Sequence, residues 1–284
     1  MGQVDGVAHG RVLVIRLTGG GANALDREMA GQLHDLVAEA ATREDIGAVL
    51  VTGGFGGAFC AGSNIKELTE LRDAGDGPGP LLRAEARAME ALAALDKPTV
   101  AAIEGPAMGG GLELALCCDL IVAAEDARIG LPEIKIGVFP ALGGTVRLQK
   151  RIGEGRAREL LLLGDEIDGV TAGSWGLANR VEPEMQVYRT ARSLADRLAA
   201  GPMAATAGIK ASLRQAADEP EAQALVTALD TAEAHSTSDE VAEGFRSFET
   251  GEDPDFTKGY ASEPVRNVTP LRRADPTRKA GTPR

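Results

Sequence analysis

Glu113 and Glu133 each follow a feature that sets a carboxylate close to backbone hydrogen-bond donors. Glu113 comes just after the triplet Gly109-Gly110-Gly111, where the strand-like run TVAAI and the turn at Gly105-Pro106 hand over to the apolar stretch LELALCC. The first amides of a helix have no intrahelical acceptor and carry the positive end of its dipole, so such a handover binds anions. Glycine lets a ligand oxygen approach that backbone closely. Glu133 follows Leu131-Pro132 in an otherwise apolar loop after the next strands. If both carboxylates enter one cavity, repulsion and partial burial raise one pKa and leave a proton donor beside a base.

A second handover lies in GGFGGAFCAGS, residues 53–63, with Ser63 at or near the start of the following helix. Two converging amides would make an oxyanion hole, in which one donor contributes roughly 3 to 4 kcal/mol to a transition state. Taken singly, each feature also has a plainer reading. The triplet suits tight helix-on-strand packing, the loop an ordinary turn, a first-turn Glu the helix dipole, and a loop Glu simple solvation. The loop is neither a Walker A sequence, lacking GK[ST], nor a GxGxxG fingerprint, because Phe59 stands where the last Gly belongs.

Other reactive residue types offer less. His9, His34 and His235 are far apart and outside any nucleophile or metal pattern. Cys60, Cys117 and Cys118 form neither a CxxC nor a Cys/His cluster, which reads as reduced, buried packing residues, with Cys117 and Cys118 expected within one helix. Trp175 reads as a helix-packing residue.

The elements that must position these groups follow from apolar periodicity. Val12 to Leu17 and Ala48 to Thr52 read as strands, and Pro98 opens the strand TVAAI. Leu25, Met29, Leu33, Leu36, Val37 and Ala40 recur at helical spacing behind a candidate N-cap, Asp26. A helix containing Ile65, Leu68 and Leu71 ends at the Gly/Pro-rich segment 73–80, and helical periodicity resumes from Arg83 to Leu95. LIVAA and ARIG are short strands. Successive helices follow, around Leu142 to Arg151, Gly155 to Leu163 and Val170 to Trp175, then four long amphipathic segments after Gln186, with the strand-bearing half ending near Pro183. The order strand, Gly-rich loop, helix occurs at 48–71 and again at 99–118, so the class is α/β.

With aromatics at only 3%, the core must be packed from Ala, Leu, Val and Ile. A net charge of −12 disfavours a nucleic-acid footprint, which needs a basic face. No apolar run is long enough to span a bilayer, MGQVDG has none of the zones of a signal peptide, and a cytoplasmic setting is expected. The basic stretch from Pro264 to Arg284 reads as a solvated tail.

The segments AFCAGSNIKEL, GPAMGGGLELALCCD and LPEIKIGVFPALGGTVRL, in this order and spacing, resemble the enoyl-CoA hydratase, or crotonase, family over roughly Val12 to Tyr260. The resemblance implies a spiral of ββα turns over residues 1–195, a helical oligomerisation region over 196–261 serving a homotrimer or dimer of trimers, and the tail at 262–284. It implies an acyl-CoA thioester substrate and no metal or redox cofactor. Ser63 and Gly110 match the amides of the oxyanion hole. Ala61, Ser63, Asn64, Ile65 and Lys66 match the segment that folds around coenzyme A. Glu113 and Glu133 match the two hydratase glutamates, Glu113 activating a water for attack at C3 and Glu133 holding it and protonating C2. The segment 73–80 and the helix after it would border the acyl group. Three departures stand out: Ser63-Asn64 in place of the common Ala-Asp, Ala141-Leu142 in place of Gly-Ala, and a TGGGANALD segment without the usual Pro and basic residue. A Δ3,Δ2-enoyl-CoA isomerase, an RNA-binding relative and a silent scaffold are the alternatives the resemblance leaves.

Overall fold

The hairpin β1 (Gln3–His9) and β2 (Val12–Thr18) opens the chain in the computed structural model, which describes residues 2–20, 22–258 and 260. Helix α1 (Arg27–Thr42), capped by Asp26 accepting from the Met29 amide, leads to β3 (Ala48–Thr52). Helices α2 (Ile65–Asp73) and α3 (Gly79–Ala94) precede β4 (Thr99–Ile103). The two-residue β5 (Ala107–Met108) feeds α4 (Gly110–Ala115), β6 (Leu120–Ala124), the two-residue β7 (Ile129–Gly130) and a 3₁₀ turn at Pro132–Ile136. Next come α5 (Gly144–Ile152), α6 (Glu154–Leu163), β8 (Glu166–Ile167), α7 (Gly169–Trp175), β9 (Arg180–Glu182) and α8 (Glu184–Ala199). Three helices end the described chain: α9 (Met203–Ala216), α10 (Glu221–His235) and α11 (Asp239–Thr250).

The main sheet has the order β1-β2-β3-β4-β6-β9 and is parallel apart from the opening hairpin. A parallel sheet covered on both faces needs near-continuous apolar strands. AVLVT and TVAAI meet that need, with every residue of β3 and β4 buried. Helix α8 lies across β3, β4 and β6, and its inward positions Val187, Ala191, Ala195 and Ala199 recur every fourth residue. Three small alanines let the helix approach the sheet closely, so the scarcity of aromatics is matched by Ala-on-Val layering.

Shorter pairings form a second tier. Leu25 bridges Ser63, Cys60 bridges Ala107, β5 pairs with β7, and β7 pairs with β8. Each circuit of the chain thus deposits one long strand in the main sheet and one short segment in this tier, stacked on the circuit before it. That is the spiral the resemblance implies.

The differences are local. Glu133 sits in a 3₁₀ turn rather than a loop, with Pro132 at its start and Gly137 closing it in the left-handed conformation. Cys117 and Cys118 fall just beyond α4, although both are buried. Strand β1 escapes a reading of apolar periodicity because QVDGVAH is mostly half-buried and carries Gly6, where an added Cβ would meet Leu36 at 2.4 Å. Helix α8 runs through residue 195 without interruption. The basic segment 262–284 and Gly21 lie outside the described residues.

Candidate active site

The parallel bridge to Leu25 aims the Ser63 amide. Leu25 donates to Gly62 O at 2.8 Å and accepts from Asn64 N at 2.7 Å, so both flanks of Ser63 are held while its own N–H points away. Asn64, not Ser63, caps α2 by accepting from the Lys66 and Glu67 amides. Gly109, at φ 54°, ends the strand and begins α4. Among the described residues, neither the Ser63 nor the Gly110 amide finds a backbone acceptor. The two lie together: a Cβ at Gly110 would stand 3.4 Å from Ser63 N, and one at Gly62 would stand 3.1 Å from Gly110 N.

The glycine triplet therefore serves both readings left open above. Gly111 is there for packing, since a Cβ would come within 2.0 Å of Cys60 O. Gly109 and Gly110 keep the cradle open, and a Cβ at Gly109 would reach 2.9 Å from Glu133 Oε1.

Glu113 projects from the first turn of α4 and is buried. Its Oε1 accepts from Leu142 N at 2.8 Å and Gly144 N at 2.7 Å, where α5 begins behind Gly143 without a side-chain cap of its own. The carboxylate is thus the anionic cap of α5. Burial pushes its pKa up, while the Gly144 and Leu142 amides and the nearby Arg147 pull it back. Glu133 has less support, with only its own backbone amide pulling its pKa back. Its Oε2 is buried with no partner among the described residues, and burial, with a smaller push from Glu113, raises its pKa to about 7. Two carboxyls held in unlike surroundings are suited to act as base and acid.

Both face a cavity of about 340 Å³ that also touches the Ser63-Gly110 cradle. Its walls are otherwise mostly apolar, from Ile65, Leu68, Leu82, Ile136, Phe139 and Leu142, with Lys135, paired with Asp165, as the one cation among the lining residues. Pro78 and Leu82 come from the segment and helix expected to border an acyl group. Of the coenzyme A segment, Ala61, Ser63 and Ile65 line this cavity, whereas Asn64 and Lys66 line a separate charged groove with Arg27, Glu67 and Glu70. The cysteines are buried thiols, Cys60 with its pKa pushed up to about 12. His9 borders a different cavity, and His34 and His235 sit beside Asp35 and Glu240.

One residue next to the cradle was not apparent in the sequence. Glu85, on α3, is 1% exposed and accepts from Ser63 Oγ at 2.9 Å. Its signal lies in register: Leu81, Glu85, Ala88, Met89 and Leu92 form the buried stripe of α3, so a carboxyl occupies a core position.

Amide cradle, glutamate pair and cavity thus lie together on the spiral. The chain belongs to the enoyl-CoA hydratase/isomerase family, whose model matches residues 8–259. It is 33% identical over 235 residues to a Mycobacterium bovis protein named "Probable enoyl-CoA hydratase", covering 83% of this chain and 90% of that one. It is 34% identical over 214 residues to a carnitinyl-CoA dehydratase of Citrobacter koseri, covering 75% of this chain and 80% of the other. The crystal structure of an enoyl-CoA hydratase from Polaromonas sp. superposes with a TM-score of 0.85 at 27% identity, covering 89% of this chain and 99% of that one. The fold is that of the crotonases.

Proposed function

We propose that the chain is an enoyl-CoA hydratase, adding water across the 2,3 double bond of a 2-enoyl-CoA to give a 3-hydroxyacyl-CoA. The observation that carries this reading is the convergence of two differently held glutamates on one cavity with two unpaired amides. Glu113, steadied by the α5 amides, takes a proton from water as its oxygen bonds to C3. Electron density moves through C2 to the thioester oxygen, where the Ser63 and Gly110 amides meet the developing charge. Glu133, protonated near neutral pH, holds the water and delivers a proton to C2. Water's two parts are thereby accounted for, and a proton passes from Glu113 back to Glu133 through solvent before the next turnover.

The apolar walls favour a hydrocarbon acyl group, as in fatty-acid or related acyl-CoA metabolism. The segment from Ala61 to Lys66 would hold coenzyme A. Exposed Ile209, Leu213, Leu225, Leu229, Phe245 and Phe248 on α9 to α11 support the division into a catalytic core and a helical region used for trimer contacts. Among the described residues no helix is long and apolar enough to cross a membrane.

The test is loss of the conjugated absorbance of crotonyl-CoA, run beside conversion of a 3-enoyl-CoA. Hydration with dependence on both glutamates supports the reading. Conversion of the 3-enoyl thioester alone, insensitive to Glu113→Gln, would show an isomerase instead.

A further inference from the structure

The proposed chemistry uses only the amide of Ser63, yet its hydroxyl is engaged. Ser63 Oγ donates to Glu85 Oε2 at 2.9 Å, and it would lie 3.5 Å from a Cβ placed on Gly110. The hydroxyl thus connects a core carboxyl to the place where the two free amides meet. Glu85 Oε1 is buried with no partner among the described residues. A buried carboxylate is costly unless paired and hydrogen-bonded on both oxygens. Three acidic groups surround it: Glu113 of α4, Glu67 of α2, which is itself paired with Arg27 of α1, and the Cys60 thiol. No cation among the described residues counters its charge.

We propose that Glu85 is a positioning residue of the oxyanion hole: neutral, it holds the Ser63 hydroxyl aside and leaves both amides to a thioester oxygen; ionised, it opposes negative charge on that oxygen. The proposal rests on the acyl-thioester reading above and deepens it. Burial supports the neutral form by raising the Glu85 pKa to about 8, while the Ser63 hydrogen bond pulls the other way. Ionisation would therefore begin just above neutrality, and it would add a charge where hydration also develops one.

A saturated thioester separates this from the reaction itself. Butyryl-CoA labelled at its carbonyl carbon is bound to the full chain, and difference infrared spectra are taken across the neutral to alkaline range. The carbonyl stretch reports the pull of the two amides without any hydration. In the unaltered protein the shift of that stretch from its free value should fall by half or more above about pH 8. Glu85→Gln should lose the fall above about pH 8 and keep only the change that follows Glu133 near pH 7. Ser63→Ala removes a bond that favours the carboxylate, so the loss should move to higher pH, which keeps the idea testable if the first variant folds poorly. The same pH response in Glu85→Gln as in the unaltered protein, or an unmoved midpoint in Ser63→Ala, would overturn the proposal with the thioester reading intact. Absence of any bound butyryl-CoA in the unaltered protein would overturn both.

Discussion

The cavity has two unlike walls. On one side stand Glu113 and the start of α5, buried and tied by short amide bonds, behind a bridge that fixes Ser63. On the other stand Glu133 in its 3₁₀ turn and the apolar residues around it, with Ile136 66% and Phe139 70% exposed. The first wall has the rigidity that a base and an oxyanion hole require, because misplacement of either costs rate steeply. The second combines an unsatisfied carboxyl with loosely packed hydrophobes, which suits proton delivery and choice of acyl group. On the proposed reading the fixed wall supplies the base and the oxyanion hole, and the open one the acid and the choice of acyl group.

Breaking the fixed wall should have the largest effect. Glu113→Gln keeps the size of the side chain but replaces an anionic base, and kcat should fall about 10²- to 10⁴-fold with KM nearly unchanged. Steady-state kinetics on crotonyl-CoA with a circular-dichroism check of folding measures it. A fall in which KM rises and kcat holds would move Glu113 from the chemistry to binding.

On the open wall, Glu133 must be protonated to act as acid, and its pKa is raised to about 7. In the free enzyme kcat/KM should accordingly decline as pH rises through about 7, and Glu133→Gln should lose both that limb and most of the rate. A flat profile in the unaltered protein over this range would assign the proton to another group.

Glu85 lies behind the fixed wall and affects stability as well as the hole. Its carboxyl binds a proton more tightly folded than unfolded, so its contribution is fully present at acid pH and is lost as pH rises from the ordinary carboxylate range through about 8. Glu85→Gln should therefore be more stable than the unaltered protein at pH 9, by on the order of 5 kcal/mol, with little difference at pH 4. Paired thermal melts at the two pH values check the sign.

The smallest effect belongs to the rim. Phe139→Ala trims an exposed part of the cavity and should raise KM for a long enoyl-CoA up to about tenfold, on the order of 1 kcal/mol, while leaving crotonyl-CoA turnover nearly unchanged. Equal losses on both substrates would place Phe139 in the fixed wall.

How far the sequence revealed each wall follows from the physics of the elements. Strands β3 and β4 were legible because burial on both faces demands unbroken apolar runs, and AVLVT and TVAAI have no other good reading. Glu113 was visible from its place behind a glycine triplet at a helix start. Its grip on Leu142 and Gly144 was not, because those amides arrive from about thirty residues away and carry no side-chain signal. The two-residue strands β5, β7 and β8 are too short to show a period. Glu85 was hidden for the opposite reason: glutamate favours helices, and only its register with Leu81 and Met89 betrays a carboxyl in the core.

The proposed hydration is tested most directly by incubating the purified chain with crotonyl-CoA in D₂O and following the product by proton NMR. The arrangement of Glu113, Glu133 and the Ser63-Gly110 cradle predicts 3-hydroxybutyryl-CoA carrying one deuterium at C2, and neither glutamine variant forming it at a comparable rate. Crotonyl-CoA that stays unchanged while bound, or product formed equally fast by both variants, would contradict it.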